Sequence, residues 1–559
     1  MNKYIKHLTS SITMEEIILK HALNNAVQFN GKANPGAVIG KILQEDPKLK
    51  LKIGEISKKV NETVKKVNSM PIEKQKKELE KYNLPKKKKI KETVSIPDLP
   101  KAKKGKVVMR FAPNPNGPMS FGHSRIALWN YFFTQKYKGK LILRFDDTDP
   151  KNKIPMKEAY DFFRNDLKWL KVKIDKTVTQ SKRLKIYYSY AERLIQQGNA
   201  YVCTCKQEEF RNLVNKRMEC PCRNLPPLDH KERWKKMFSK FKEGEAVLRI
   251  KTNIMHENPA VRDWPAFRIV DKSNHPLDQK SKVWPLLNFA SAIDDHEFSV
   301  THILRGIDLK ISDTRQKYIY DSFNWGYPET IYLGKLIFSG ITSTSEASRL
   351  IKQHKLTGWD DPRLGTLMAL RRRGFQPDTI INFIKDARLN ASDIHVSLEK
   401  LSHLNKEIID KRTLRYFAVI NPHKIKIKNA PSIDVKLPLH PTAKKGFRKL
   451  KASNEFYIQD DLIKNRTYRF MHLFNFKSNQ FLSIQPDPSL KATLIHWLPV
   501  SKNLVNIEIV MDNNERIKAI AEPDIKNVKK NEIIQLERNF FVRCDSNTVK
   551  KRVFYYSHK

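Results

Sequence analysis

Residues 109–150 contain turns and side chains of the kind that bind phosphate. A short apolar segment ends at Phe111, a loop of proline, asparagine and glycine follows, and a helix is predicted to begin near Ser120. The free N–H groups and the dipole at the start of a helix attract an anion. His123 falls in the first turn of this helix, where its imidazole can reach a phosphoryl group. The stretch therefore predicts a phosphate-binding site.

A cluster of acidic residues follows the next predicted strand, residues 140–145. Asp146, Asp147 and Asp149 would stand at the carboxyl end of that strand, the edge at which open α/β sheets bind their ligands. The alternative is a loop that only joins two strands of an α/β protein, because short motifs match by chance.

Four of the five cysteines form two Cys-x-Cys pairs within 20 positions, Cys203 with Cys205 and Cys220 with Cys222. Two thiolate pairs separated by a short loop suit tetrahedral Zn²⁺, with every coordination position filled by protein. In a cytosolic chain this cluster predicts a structural metal site rather than disulfides. Four reduced thiols, or the relic of a lost site, are the alternatives.

The chain has 559 residues and a formal net charge of +47, from 106 Lys and Arg against 59 Asp and Glu. Such a basic chain suits a polyanionic partner, first of all nucleic acid, although a general preference for lysine on solvated surfaces is the alternative. No apolar run approaches the roughly 20 residues of a membrane helix. Residues 1–11 lack the apolar core of a signal peptide, so we expect a cytoplasmic protein without a membrane partner.

The elements that must position these residues change in kind along the chain. Residues 1 to about 95 have mainly helical periodicity, and lysine-rich segments at 85–92 and 97–106 read as a linker. Strands and helices alternate from 105 to about 375, as in a parallel α/β domain. From 415, short alternating segments between turn residues predict an all-β region of one or two barrels.

Several of these segments resemble one family. The APNPNG loop and the RFDDTDP segment within 109–150 are similar to the His-Ile-Gly-His region of class I aminoacyl-tRNA synthetases, in the glutamyl and glutaminyl form. Ser120 stands where the first His is usual, and Phe121 where Ile is usual. GWDDPRLGTLMALRRRGF (358–375) and the C-terminal segments LPLHPTAKKGFRKL, IHWLPVS and AEPDIK resemble the same family. The resemblance runs from about residue 14 to the C-terminus and favours the archaeal type of glutamyl-tRNA synthetase.

The resemblance implies a multidomain α/β fold. A class I Rossmann-type catalytic domain would carry a Zn-containing insertion for the tRNA acceptor end, a helical N-terminal extension and C-terminal all-β anticodon-binding barrels. The implied regions are a helical extension (1–95), the first catalytic half (105–200), the insertion (201–282), the second catalytic half (283–357), a helical stem-contact region (358–410) and the β-barrel region (411–559).

The resemblance also implies a reaction. L-Glutamate and ATP would form glutamyl-adenylate, and the glutamyl group would pass to the 3′ end of tRNA(Glu). No side-chain nucleophile is needed, so catalysis would rest on positioning and charge stabilisation. Asp146 would hold the α-ammonium of glutamate, Arg110 and Arg305 would hold its side chain, and Leu287 falls where many members place a Tyr against the substrate.

Further residues receive roles by the same resemblance. Mg²⁺ would accompany ATP, and the implied catalytic residues are Ser120, Gly122, His123, Thr344 and Ser345. The implied ATP-binding residues are Pro113, Asn114, Pro115, Asn116, Gly117, Ser120, Phe121, Gly122, His123 and Leu336.

The second signature motif of class I enzymes falls at residues 329–351. Ser343, Thr344 and Ser345 fit it, but Glu346 stands where a lysine normally neutralises the triphosphate. Three explanations stay open. A neighbouring base takes over, adenylation is slow, or the register is off by a few residues; the candidate bases are Arg349, Lys352 and Lys355.

Three alternative functions follow. A glutaminyl-tRNA synthetase shares most motifs, but Arg305 argues against it because a neutral amide would leave its charge unpaired. A non-discriminating enzyme would also charge tRNA(Gln). A tRNA-binding paralogue without synthetase activity is the third, since Ser120, Glu346 and Leu287 depart from the family pattern. We expect a monomer.

Overall fold

The computed structural model describes residues 13–29, 31–46, 49, 53–82, 95–338, 340, 343–443 and 445–559. The chain divides into two compact units, Met1–Thr93 and Val94–Lys559. Residues 1–11 and 85–92, on which the predictions of location and of a linker partly rest, lie outside the described residues.

The described residues of the first unit form four helices. They are α1 (Met14–Gln28), α2 (Pro35–Glu45), α3 (Ile53–Asn68) and α4 (Ile72–Glu80). Helix α1 begins at a capping box in which Thr13 and Glu16 satisfy each other's backbone N–H groups. Helix α3 buries Ile56, Val60, Val64 and Val67, whose spacing places them along one side of a helix.

The second unit starts with a parallel sheet and its crossover helices. Its first elements are β1 (Val108–Phe111), α5 (Phe121–Lys136), β2 (Lys140–Phe145), α6 (Ala159–Trp169), β3 (Lys176–Thr179) and α7 (Leu184–Gln196). Strand β2 pairs in parallel with β1 and with β3. Strands β1 and β2 are buried along nearly their whole length, as expected where helices cover both faces of a parallel sheet.

An antiparallel sheet follows, with the strand order β4-β5-β6-β7. Its elements are β4 (Ala200–Cys203), α8 (Gln207–Asn215), α9 (Pro227–Ser239), β5 (Val247–Ile250), β6 (Pro265–Ile269) and β7 (Val283–Pro285). Because antiparallel strands interrupt a parallel pattern, this segment is an insertion between two parts of the α/β fold.

The parallel fold then resumes with α10 (Leu287–Glu297), β8 (His302–Gly306), α11 (Lys310–Ser322), β9 (Glu329–Leu333) and β10 (Leu336–Phe338). Strand β8 pairs in parallel with β9. Strand β8 starts beside β1, because Thr301 N–H donates to Val108 O (2.9 Å) and Thr301 Oγ1 accepts from Val108 N–H (3.0 Å). The strands β2 and β3 therefore lie on one side of β1, and the strands β8 and β9 lie on the other.

The next elements are α12 (Thr344–Lys352), α13 (Leu367–Arg372), α14 (Pro377–Asp386), β11 (Ile394–Val396) and α15 (Leu398–Ile409). Strand β11 pairs in parallel with β10. The sequence patterns between 376 and 408 predict helices only, so this strand is an addition to the predicted architecture.

The remaining chain is β-rich. Its strands are β12 (Leu414–Tyr416), β13 (Ala418–Ile420), β14 (His423–Lys426), β15 (Ile433–Pro438), β16 (Phe447–Ala452), β17 (Glu455–Ile458), β18 (Thr467–Phe470), β19 (Asn475–Lys477), β20 (Gln480–Ser483), β21 (Thr493–Ile495), β22 (Leu498–Pro499), β23 (Val505–Val510), β24 (Arg516–Ala521), β25 (Ile533–Leu536), β26 (Phe540–Asn547) and β27 (Arg552–His558). One seven-stranded sheet has the order β12-β25-β26-β27-β23-β24-β13. Burial alternates along β16, so one face of that strand packs inward.

None of the helices in the described parts of the chain has both the length and the apolar character needed to cross a bilayer.

Candidate active site

A cavity of about 230 Å³ lies between the ends of β1 and β8, where the strand order of the sheet reverses. It is lined by the end of β1, the end of β8 and the beginning of α5, with α10 and α11 at its side. Open α/β sheets bind ligands at such a switch point, beyond the carboxyl ends of the strands. The topology alone therefore makes this cavity the candidate active site.

The cavity contains six of the predicted site residues. Its lining includes Arg110, Pro113, His123, Asp146, Leu287 and Arg305. Asp146 follows β2 and Arg305 lies on β8, on opposite sides of β1. A carboxylate and a guanidinium in these places suit a ligand with an ammonium group at one end and a carboxylate at the other.

A buried network of arginines and aspartates connects the two sides. Arg144 Nε donates to Asp146 Oδ1 and Arg144 Nη1 to Asp295 Oδ1, each at 2.6 Å. Arg110 Nε also donates to Asp295 Oδ1 at 3.1 Å. Burial opposes ionisation of Asp295, but Arg110 and Arg144 outweigh it and hold the pKa of Asp295 below its usual range. Burial raises the pKa of Asp146 to about 6, even though Arg144 opposes the shift.

Arg305 is held from the other side by α11. Its Nη1 donates to Asp313 Oδ1, and its Nη2 donates to Gln316 Oε1 at 3.2 Å. Within the part of the chain that the structure describes, these bonds use two of the five N–H donors of a guanidinium. The remaining donors are available to a carboxylate in the cavity.

His123 belongs to the cap of helix α5. Ser120 Oγ accepts from His123 N–H at 3.3 Å, and His123 Nδ1 accepts from Ser120 N–H at 3.1 Å. Burial lowers the pKa of His123 to about 4, so the imidazole is neutral at physiological pH. With Nδ1 acting as an acceptor, the proton of the neutral ring lies on Nε2, which can donate a hydrogen bond to a phosphate but brings no charge.

Gly117 brings the loop after β1 against α12. A Cβ atom at Gly117 would lie 2.4 Å from Thr344 Cγ2, so no larger residue fits without movement. Trp359 lies on the same side, 3.5 Å from that position. The structure therefore brings the first predicted motif and Thr344 of the second motif together.

The other residues that were predicted to bind ATP differ in position and in burial. Phe121 points into the core, where its ring packs on Phe338 (5.5 Å) and Phe383 (5.4 Å). Leu336 O lies 3.9 Å from the Cβ position at Gly122, so β10 passes close to the start of α5. Pro115 is buried and Asn114 and Asn116 are partly buried.

The second motif forms the start of α12. Ser343 is the N-cap, and its Oγ accepts from Glu346 N–H at 3.3 Å. Glu346 is exposed in the first helical turn, a position at which the helix dipole favours a negative charge. The helix dipole is thus a local structural reason for an acidic residue at position 346. Of its neighbours, Ser345 is exposed and Thr344 is partly buried.

The four clustered cysteines have the geometry of a metal site. Their sulfur atoms lie within 4.8 Å of one another, with 3.9 Å between Cys203 and Cys220 and between Cys205 and Cys222. Tetrahedral Zn²⁺ with bonds of about 2.3 Å requires sulfur–sulfur distances of about 3.8 Å. The donor set fits zinc.

Three charged residues that hold the site together were not predicted from sequence. They are Arg144, Asp295 and Asp313. Arg144 begins the RFDDTDP segment and Asp295 lies in another acidic run, IDDHEF (293–298), so a count of charges there could have found them. Asp313 lies in no quoted segment, and we find no sequence signal for its role.

The three consecutive arginines 371–373 all have partners in the described part of the chain. Arg371 pairs with Asp166 at 3.7 Å, and Arg373 donates to Ser557 O at 3.1 Å. Arg372 pairs with Asp360 (3.0 Å) and Asp545 (3.3 Å). They join α13 to the α/β fold and to the β-rich region.

Comparison with known families now places the chain. The catalytic domain of class I tRNA synthetases (E and Q) matches residues 106–411, more than half of the chain. Two forms of the anti-codon binding domain of the same synthetases match residues 413–494 and 494–545. The chain belongs to the class I tRNA synthetases of the E and Q type. The family predicted from the sequence motifs is confirmed.

Curated relatives of this synthetase family cover nearly the whole chain. The glutamate–tRNA ligase of Pyrococcus furiosus is 45% identical over 577 aligned positions, which cover 98% of this chain and 100% of the relative. That of Methanocaldococcus jannaschii is 44% identical over 563 positions with the same coverage. A solved glutamate–tRNA ligase from Elizabethkingia meningosepticum, in complex with its amino acid, is 20% identical with a TM-score of 0.41, covering 55% of this chain and 70% of that one.

Proposed function

We propose that this synthetase is a glutamate–tRNA ligase. The activity predicted from sequence is confirmed by curated glutamate–tRNA ligases that match the full length at 42–45% identity. Within the site, Arg305 is the residue that favours glutamate. It lines the cavity, and beyond its bonds to Asp313 and Gln316 it has N–H donors left for the carboxylate of a substrate.

The proposed roles follow from the geometry. Asp146 binds the α-ammonium of glutamate on the β2 side, and Arg305 binds the side-chain carboxylate on the β8 side. Arg110 lines the same cavity and supports this charge, although Asp295 already engages it. Glutamine would place a neutral amide against Arg305 and leave a buried charge without its partner.

ATP would lie over the start of α5. The backbone near Gly122 and the neutral His123 imidazole would donate hydrogen bonds to phosphate, and Thr344 would close over the nucleotide from α12. Because the reaction needs no protein nucleophile, these groups act by alignment and by stabilising the charge that develops at the α-phosphate. Mg²⁺, when bound with ATP, would neutralise part of the triphosphate charge.

Aminoacylation tests the function directly. Purified protein, ATP and labelled glutamate are incubated with tRNA(Glu) and tRNA(Gln) in parallel, with labelled glutamine as the comparison substrate. We expect glutamate on tRNA(Glu). Charging of tRNA(Gln) as well would define a non-discriminating enzyme, and charging of neither would contradict the proposal in favour of a tRNA-binding paralogue.

A pair of variants tests Arg305. Arg305→Ala should raise the KM for glutamate roughly a hundredfold or more, since a buried carboxylate would lose its cationic partner. Arg305→Lys keeps the charge but loses the planar fork, so an intermediate KM is expected. An unchanged KM in Arg305→Ala would refute the role.

Three further parts of the assignment remain predictions: the domain boundaries, structural Zn²⁺ in the insertion, and a monomeric cytoplasmic protein.

A further inference from the structure

One carboxylate, that of Asp313, accepts hydrogen bonds from three side chains. Arg305 Nη1 and the Tyr327 hydroxyl (2.9 Å) donate to Oδ1, and the Tyr332 hydroxyl donates to Oδ2. Asp313 and Arg305 are each only 6% exposed. A buried carboxylate with this many donors is fixed in position.

The carboxylate fixes the plane of the Arg305 guanidinium. Asp313 lies on α11, Tyr332 on β9 and Tyr327 just before β9, so separate elements hold the group that Arg305 contacts. The Tyr327 hydroxyl also lies 2.8 Å from Gln316 Oε1, the acceptor for Arg305 Nη2, so Asp313 and Gln316 are alternative acceptors for its single proton. Because the guanidinium is planar, fixing both terminal nitrogens fixes the direction of its remaining donors.

We propose that Asp313 is a positioning residue for the recognition of glutamate. It holds Arg305 so that the unused N–H donors face the side-chain carboxylate of the substrate before the substrate arrives. An arginine that is already ordered loses less conformational entropy on binding, which lowers the cost of association. The inference rests on the proposed function, because it requires glutamate as the substrate.

The charge of Asp313 and its role as a hydrogen-bond acceptor predict opposite effects on glutamate binding when Asp313 is replaced. As a charge, Asp313 offsets the positive charge of Arg305 and weakens its attraction for a carboxylate. As an acceptor, it holds Arg305 in place. Asp313→Asn removes the charge but keeps one oxygen for Arg305 and Tyr327, whereas Asp313→Ala removes both.

The test compares these variants by steady-state aminoacylation of tRNA(Glu). Asp313→Ala should raise the KM for glutamate roughly tenfold or more, with the KM for ATP changed by less than about twofold. Asp313→Asn should stay within about threefold of the wild type, because the acceptor is retained. Asp321→Ala, at an exposed position of the same helix, is the matched control and should leave both constants unchanged.

A double variant shows whether Asp313 acts through Arg305. In the Arg305→Ala background, Asp313→Ala should cause no further rise in the KM for glutamate, since the group it positions is absent. An additive rise would overturn the proposal, and so would Asp313→Asn behaving as badly as Asp313→Ala. If Asp313→Ala does not fold, Tyr332→Phe removes one of the donors that fix Asp313 and should raise the KM for glutamate roughly two- to fivefold; an unchanged value would contradict the proposal. Wild-type protein that charges no glutamate would refute the proposed function instead.

Discussion

Charged side chains that line the cavity have partners before any substrate binds. Arg110 and Arg144 share Asp295, Arg144 also holds Asp146, and Arg305 faces Asp313. Groups fixed in this way need little reorganisation when charge develops on the substrate. The neutral state of His123 fits the same pattern, since it can donate to phosphate without changing the charge of the site.

The ionisation of a single residue, Asp146, predicts how kcat/KM depends on pH. In the proposed role, Asp146 must be ionised to hold the α-ammonium of glutamate, and burial raises its pKa to about 6. Protonation below this pKa removes the carboxylate charge, so kcat/KM for glutamate should fall about tenfold per pH unit below pH 6. The measurement is a profile of kcat/KM from pH 5 to pH 8.

Two controls separate Asp146 from other groups. Asp146→Asn should have a low kcat/KM without this acid limb. His123 does not contribute in this range, because burial lowers its pKa to about 4. A wild-type profile that is flat down to pH 5 would remove Asp146 from the proposed role.

At the scale of elements, the site depends on how closely separate segments approach. The loop after β1 touches the start of α12 because Gly117 has no side chain. The cap of α5 is tied to the segment before α13, since Phe121 N–H donates to Gly365 O at 3.0 Å. These contacts bring two motifs that are more than 200 positions apart against each other.

Gly117→Ala should separate the loop from α12, because its methyl group would overlap with Thr344 Cγ2. A shift of this kind should lower kcat roughly 10- to 100-fold with little effect on thermal stability. Thr344→Ser removes the clashing methyl group, so Gly117→Ala combined with Thr344→Ser should regain most of the activity of Thr344→Ser alone. Failure of the double variant to recover would mean that the clash is not the cause.

The cysteine cluster of the insertion gives a second prediction at this scale. Purified protein should contain about one Zn²⁺ per chain, as four closely spaced thiolates imply. Cys222→Ser should lose the metal and lower the unfolding temperature, because metal binding stabilises only the folded site. Metal analysis and thermal unfolding check both points. Cys544→Ala, outside the cluster, should keep its zinc.

At the scale of the whole second unit, Arg372 connects the α/β fold to the β-rich region. Its guanidinium pairs with Asp360 and Asp545 and lies 4.3 Å from the centre of the Tyr555 ring. The β-rich region contains the matched anti-codon binding domains. The placement of this region relative to the cavity therefore depends partly on this ion pair.

Arg372→Ala should raise the KM for tRNA roughly fivefold while the KM for glutamate stays the same, since it loosens only the β-rich region. Asp545→Ala should have a similar effect, and the double variant should be no worse than either single one. Additive effects in this cycle would show that the two residues act independently.

Much of the fold could be predicted from local signals. The β1–α5–β2 order, the cap at Ser120 and the β-rich character after residue 411 follow from burial periodicity and turn residues. The two Cys-x-Cys pairs predicted that the four cysteines lie close together, because a short loop keeps residues that are near in sequence near in space. Strand β11 was missed, since three residues carry too little periodicity to separate a strand from a helix end.

The family follows from sequence motifs, and the same motifs predict which segments and charged residues come together. The contacts of each charge depend on the packing of the folded chain. Arg110 meets Asp295 across 185 positions, and Arg372 meets Asp545 across 173. Local preferences are set by neighbours along the chain, whereas ion pairs and burial depend on which distant elements pack together. That is why the sequence alone does not show that Arg372 pairs with Asp545.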